Sequence, residues 1–295
     1  MVPIRQQMRD EIRLRGLAES TEKTYLSYAA RLVDFHHHRP PRSLTAADVR
    51  RFFVHMIDAR HASPASIRVA LAAVCFLFRV VLHRPWVVAN LPRPRVPRRQ
   101  QVVLAPEEVW RLFDHIGSLT MRTMAFLVYA TGLREREARF LQPQDVDSAR
   151  HVIVVRKAKG RREREVPLGI ELLVRLRHYW RVVQPGKKNP PYLFPGEVTG
   201  QPLSRGALGK ALARAAHSAG ILKRVGPHVL RHSSATHYLE MGVNQFTIQT
   251  VLGHAQGQTT TLYTHVTSEH LGRLKTPFDV LVRRMSAKAE PDNKS

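Results

Sequence analysis

Apolar residues return every three to four positions along most of the chain, a helical period, and give way to alternation only once, near the middle. Met8 and Ile12 mark a first helix, and Tyr25, Ala29, Leu32 and Val33 mark a second behind a Ser20/Thr21 cap. At Thr45 the pattern T-x-x-D, closing on Asp48, predicts a capping box ahead of Val49, Phe52, Phe53 and Met56. Ser63 and Pro64 supply a cap and a first helical residue for a fourth helix through Val81. The run His36, His37, His38 has no further metal-ligand spacing beside it and reads as a solvated helix end.

Repeated prolines then break the pattern over RPWVVANLPRPRVPRRQQVVLAP, and Arg93, Arg95, Arg98 and Arg99 gather charge there. This stretch reads as a basic linker over 85–105, between a helical domain at 1–84 and a second domain at 106–285, with a polar tail at 286–295. The second domain opens with a short helix from Glu107 to Ile116 and an apolar helix ending in ATGL. Alternation in HVIVVRKAKGRREREVPL, with a turn at Lys159-Gly160, predicts a β-hairpin. Helices resume at Ile170 and occupy Ser204 to Ser218, His228 to Met241 and Gln245 to Leu252, with Gly220 and Gly242 at C-caps. The expected fold is mainly α with one small antiparallel sheet.

Composition narrows the partner. Lys and Arg number 47 against 23 Asp and Glu, a formal net charge of +24 over 295 residues. Such an excess favours a polyanion whose counterions are released on binding, and nucleic acid leads that class. The longest uninterrupted apolar stretch, VALAAVCFLF at 69–78, is too short to span a bilayer, and the charged start MVPIRQQMRDEIRLRG is no signal peptide. The lone Cys75 reads as core packing in a reducing cytoplasm.

Four separated stretches carry polar residues that packing does not explain: TGLREREA with Arg134, RKAKGRRER with Lys159, PHVLRHSSATH with His228 and Arg231, and LGHAQGQTTTLYTH with His254 and Tyr263. In this order they closely resemble the tyrosine recombinases, the phage integrase family, most specifically at ATGLRxxE (130–137), KGxRERxVPL (159–168), PHxLRHSxATH (227–237) and LGH with a Tyr nine residues on. The resemblance implies a two-domain, C-shaped clamp on duplex DNA, with a helical core-binding (SAM-like) domain ahead of the catalytic one. It implies a site-specific recombinase that cleaves and rejoins strands through a 3′-phosphotyrosine, with catalytic residues Arg134, Lys159, His228, Arg231, His254 and the nucleophile Tyr263.

These residue types suit that chemistry. Attack on a phosphodiester builds charge on the non-bridging oxygens, which two guanidinium forks can clamp without a metal ion or other cofactor. His228 would act as base or orienter, Lys159 as general acid to the leaving 5′-oxygen, and His254 would hydrogen-bond the phosphate. Arg93, Arg95, Arg98 and Arg99 of the linker, with Arg161 and Arg162 of the hairpin, are the candidate DNA contacts. The implied partners are double-stranded DNA with a specific recombination site and further copies of the chain in a cyclic tetramer on synapsed duplexes, the segment from about Ser268 to Met285 packing on a neighbouring protomer. The implied setting is the bacterial cytoplasm, at the nucleoid, on a mobile element.

Two other functions share these residues: a DNA-binding relative that no longer cleaves, and a relaxing topoisomerase of type IB character. Zinc on His228, His232 and His237 is disfavoured, because Val229 stands where an HEXXH motif needs Glu. Tyr129, Tyr179 and Tyr238 sit in apolar helical patterns and read as core. Arg136 stands where relatives often carry a small residue and is expected to touch phosphate or pair with Glu137. Gly257 and Gln258 also depart from the family pattern, and Ile170 to Ser204 lacks the long insertion of integron integrases.

Overall fold

The computed structural model describes residues 3–97, 101–156, 163–183, 190–253 and 267–289. The chain divides into two compact units, 1–99 and 100–295. Each is built around its own apolar core.

The first unit holds α1 (Ile4–Leu14), α2 (Glu19–Phe35), α3 (Ala46–Asp58) and α4 (Pro64–Phe76), the last continuing into a π-helical turn over Leu77–Val81. The Thr45 box forms as expected: Asp48 N donates to the Thr45 hydroxyl and Thr45 N to the Asp48 carboxylate. Ser63 likewise caps α4, accepting from Ser66 N at 3.2 Å. The start of α2 differs from the expected one. Ala18 occupies the N-cap, ahead of Ser20 and Thr21, and Glu19 and Glu22 place negative charge in the first turn, where the helix dipole favours it.

His36 also departs from the solvated reading. It is buried, its Nε2 lies 3.0 Å from the Asp48 carbonyl oxygen, and its ring meets Phe35 edge-on, so it joins α2 to α3. By length and composition Pro64–Val81 is apolar enough to cross a membrane, with a mean hydropathy of 1.8. Its buried residues Ile67, Leu71, Val74, Leu77, Phe78 and Val81 belong to the first unit's core. Cys75 is half-buried against the same cluster.

Within the stretch that reads as a linker, Val87 and Val88 form a 3₁₀ turn and are already buried in the first core, while Leu104 is buried in the second. Arg93 and Arg95 between them are exposed.

The second unit is wrapped around α6 (Leu119–Thr131), whose residues from Thr123 onward are all buried. A helix apolar on every side has to lie inside. Around it pack α5 (Pro106–Asp114), α8 (Ile170–Val183), α9 (Ala207–Ser218), α10 (Pro227–Glu240) and α13 (Pro277–Ala289). α7 (Glu135–Arg139) follows α6 directly, and α11 (Gln245–Leu252) packs on α10 and on the sheet. The expected hairpin forms as β2 (Val152–Val155) and β3 (Arg164–Pro167), antiparallel, with Val155 opposite Arg164. A two-residue strand β1 (Val146–Asp147) adds a third member on the other edge of β2. Gly220 and Gly242 follow α9 and α10 with positive φ, as their C-cap reading predicts, whereas α9 begins at Ala207 and not at Ser204.

The C-terminal segment completes the second core. α12 (Ser268–Arg273) lies on β2 and β3 with Leu271 buried, and α13 inserts Phe278, Leu281 and Val282 into the core of its own unit. Phe278 stacks on Phe126 at 4.8 Å and meets Phe113 edge-on at 6.2 Å. In the single chain the segment is docked on the core of its own unit. Asp279 fastens it. This buried carboxylate accepts from Thr276 N and Thr276 Oγ1 at 2.9 and 2.7 Å and from Glu171 N, in the first turn of α8, at 3.0 Å.

Asp279→Ala leaves the Thr276 and Glu171 backbone N–H groups without their acceptor, at the starts of α13 and α8. It is expected to cost about 2 kcal/mol or more, the sum of two lost caps of ordinary size, read as a lower midpoint in urea unfolding. A midpoint within error of wild type would show that this carboxylate does not hold α13 in place.

Candidate active site

α6 ends at Gly132, which closes the helix with a φ of 64°. A side chain there would be strained and would stand 2.5 Å from the Leu252 Cδ2, so the end of α6 and the end of α11 can meet only through glycine. Two residues on, Arg134 is the N-cap of α7. It reaches back to α11: its Nη2 donates to the Gly253 carbonyl at 3.1 Å.

Arg231, on the second turn of α10, reaches the same place from the other side. Its side chain is buried; Nη2 donates to the Leu252 carbonyl at 2.6 Å and Nη1 to the Gly132 carbonyl. A third arginine joins them from the sheet, Arg164 of β3, whose Nε donates to the Val251 carbonyl at 3.1 Å. Three consecutive carbonyls at the C-terminus of α11 thus each receive a guanidinium N–H. Helix ends leave such oxygens unpaired and carry partial negative charge, so cations are the natural partners. Gly253 closes α11 with a φ of 63°, and a Cβ on it would lie 2.8 Å from the Arg164 Nε.

Glu137 ties two of these arginines together. Its Oε1 accepts from Arg134 Nη1 and Arg164 Nη1, each at 3.0 Å, and its Oε2 from Arg134 N and Arg164 Nη2 at 2.9 and 2.8 Å. Burial by itself would raise this carboxyl, but hydrogen bonds and charge from Arg164, with those of Arg134, outweigh it and hold the pKa at about 2. The folded value is depressed from 4.5, so the stabilisation is complete above the ordinary pKa and is lost only as pH falls from there through about 2.

Arg136 does not take the role expected of it with Glu137, since that carboxylate is occupied by Arg134 and Arg164. Its guanidinium lies over the exposed ring of Phe140, 5.8 Å from the centroid, and Arg139 lies at 5.5 Å from the same ring. His228 stands exposed in the first turn of α10, three residues before Arg231 and so on the same face. His237, by contrast, points into the core, where its Nδ1 lies 2.7 Å from the Tyr129 hydroxyl. Burial pushes His237 toward its neutral form, and it is a structural histidine rather than a metal ligand beside His228.

Of the expected site residues, then, Arg134 and Arg231 converge on one edge, and His228 shares a helix face with Arg231. Lys159, His254, Tyr263, Arg98, Arg99, Arg161 and Arg162 lie outside the described residues, as do Gly257 and Gln258. Their flanks are described: Lys159 falls between the paired residues Val155 and Arg164, and His254 directly follows the carbonyl that Arg134 holds. Arg164 was not singled out by sequence, although it stands inside a quoted motif, and Glu137 was named only as a partner for Arg136.

Three other tyrosines are committed elsewhere. Tyr238 donates to the Ala130 carbonyl at 2.8 Å, Tyr179 to the Leu193 carbonyl at 3.2 Å, and Tyr129 meets His237, all three buried. Burial raises each phenol, Tyr179 to about 12, which disfavours the phenolate a nucleophile needs.

Following a small helical unit in the chain, a mainly helical unit in which Arg134 and Arg231 meet at the end of α11, with His228 exposed on the helix that carries Arg231, fits a class of DNA strand-transfer enzyme. The chain belongs to the phage integrase family, whose model matches residues 102–270, with the N-terminal SAM-like domain of phage integrases matching 4–87, and it is a tyrosine-type site-specific recombinase.

It is 37% identical to y4qK of Sinorhizobium fredii, named as an integrase/recombinase, over 284 residues, 96% of this chain and 91% of that protein. It is 36% identical to the tyrosine recombinase XerD of Caulobacter vibrioides over 234 residues, 74% of this chain and 76% of that one. In fold it is similar to a lambda integrase (75–356) dimer bound to a COC′ core site, with a TM-score of 0.71 at 18% identity, covering 90% of this chain and 98% of that one. It is likewise similar to the Tn1549 transposon integrase with circular intermediate DNA, at a TM-score of 0.68 and 17% identity, covering 98% of this chain and all of that one.

Proposed function

We propose that Tyr263 attacks a phosphodiester in the recombination site and becomes joined to the 3′ side, while the P–O5′ bond breaks and a 5′-hydroxyl leaves. The tyrosine proton passes to His228, and Lys159 gives one to the departing oxygen. Arg134 and Arg231 take the two non-bridging oxygens, with His254 as a further donor. Because the phosphotyrosine conserves the ester bond, a 5′-hydroxyl from a second duplex reverses the step with no ATP. Two guanidiniums and an ammonium supply the positive charge that a divalent metal would otherwise bring.

The observation that carries this reading is the placement of Arg134 and Arg231 on adjacent carbonyls, Gly253 and Leu252, at the residue before His254. Two planar forks fixed side by side at a helix end fit the two free oxygens of one phosphate.

Arg93, Arg95, Arg98 and Arg99, with Arg161 and Arg162, hold the duplex through phosphate contacts. The structures similar in fold include the transposon integrase named above and also a lambda integrase tetramer bound to a Holliday junction, which supports a mobile-element role and a cyclic tetramer on synapsed DNA for this chain. The protein works in the cytoplasm at the nucleoid.

The test uses a site selected from a random duplex pool by retention on the protein, rebuilt as a nicked suicide substrate. A covalent protein–DNA adduct is expected, and it forms equally in EDTA. A requirement for Mg²⁺ in cleavage would overturn the metal-free mechanism, and the absence of any adduct would leave the DNA-binding relative as the better reading.

A further inference from the structure

We infer that Arg164 is a positioning residue of the cleavage site, acting through Glu137 on Arg134 and through the Val251 carbonyl on the segment that starts at His254. This rests on the reading of Arg134 and His254 given above.

Arg164 is committed within the protein. Its side chain is only 15% exposed, and Nε, Nη1 and Nη2 are all spent, on Val251 and on both oxygens of Glu137. It stands on β3, the strand that leaves the hairpin carrying Lys159, and it touches the end of α11 that leads to His254 and Tyr263. One guanidinium therefore fixes three sequence-distant parts of the site against each other: the strand behind the general acid, the α7 carboxylate that grips Arg134, and the root of the nucleophile segment. A lysine could not do this. Its ammonium is a point charge without the planar fork that serves two carboxylate oxygens and a carbonyl together.

Charge arithmetic states what the arrangement does for Arg134. With Arg164 in place, one carboxylate faces two guanidiniums, and the cluster keeps a net positive charge for an arriving phosphate. Without Arg164, Glu137 pairs with Arg134 one to one, and the clamp is neutralised from behind while its side chain is drawn toward the carboxylate. Arg164 thus keeps Glu137 from competing with the substrate. Removing the carboxylate as well should give Arg134 its charge back.

The experiment compares wild type, Arg164→Met, Glu137→Gln and the double variant in single-turnover cleavage of the nicked suicide duplex, with duplex binding and thermal melting measured alongside. Arg164→Met is expected to cleave about a hundredfold more slowly, the size of effect a misplaced reacting group produces, with duplex affinity little changed. The double variant is expected to recover about tenfold over Arg164→Met in the single-turnover rate at saturating duplex, measured well below both melting temperatures so that the gain lies in the chemical step and not in the fraction folded. Arg164→Lys preserves charge and nearly all the volume; it is expected to fold and still to cleave more slowly than wild type.

An Arg164→Met or Arg164→Lys protein that cleaves like wild type overturns the inference. So does a double variant no faster than Arg164→Met. A wild-type adduct beside unimpaired variants removes this inference alone, whereas no wild-type adduct removes the reading of the site and this inference with it.

Discussion

Tyr263→Phe is expected to abolish the covalent adduct on the suicide substrate while leaving duplex binding and the melting temperature close to wild type. The substitution removes one oxygen and keeps the ring, so the chemistry goes and the packing stays. The chain has seven tyrosines. Three of them have buried hydroxyls already committed to Ala130, Leu193 and His237, so they cannot substitute without first leaving the core.

Lys159→Ala should differ in kind. It withdraws the proton donor, so it should be partly rescued by a substrate whose bridging 5′-oxygen is replaced by sulfur, a leaving group that needs little protonation. Tyr263→Phe should gain nothing from that substrate. An adduct formed by the phenylalanine variant, or peptide mapping of the wild-type adduct to another residue, would remove Tyr263 as the nucleophile.

Arg231→Lys is expected to have the second largest effect, and on two measurements at once. Cleavage should fall by about 10²–10³-fold, the loss that follows removal of one preorganised donor to a developing oxyanion. Stability should fall too, because the buried fork serves both the Gly132 and the Leu252 carbonyls and a single ammonium cannot reach both in the same geometry. An orphaned buried acceptor costs about 1–3 kcal/mol. Single-turnover cleavage and urea unfolding separate the two. A lysine variant that cleaves within tenfold of wild type would show that the fork geometry at 231 is dispensable.

What the sequence revealed and what it hid divide along the range of the forces involved. The caps at Thr45 and Ser63 were legible because a capping hydrogen bond spans three residues, and the two paired strands because alternation is local. Arg134 and Arg231 could be singled out from their motifs, yet nothing local says that they meet on adjacent carbonyls.

The misreadings have physical reasons as well. Neighbours in sequence do not face each other on a helix, so Arg136 was a poor partner for Glu137, which is held instead by Arg164 from another element. His36 ends its helix in a position that reads as wet; only the fold brings the Asp48 carbonyl to it.

The docking of α13 sets an order of assembly. Among the described elements α13 comes after every other in the chain, so it leaves the ribosome after them, and Phe278, Leu281 and Val282 are missing from the core until it does. Residues 1–99 have a core of their own and can fold while translation continues. The second unit cannot complete its packing until α13 has emerged. A nascent chain can thus acquire its first unit well before its catalytic unit is closed, and a message cut short ahead of Pro277 yields a protein whose first unit is intact and whose strand-cutting unit is not.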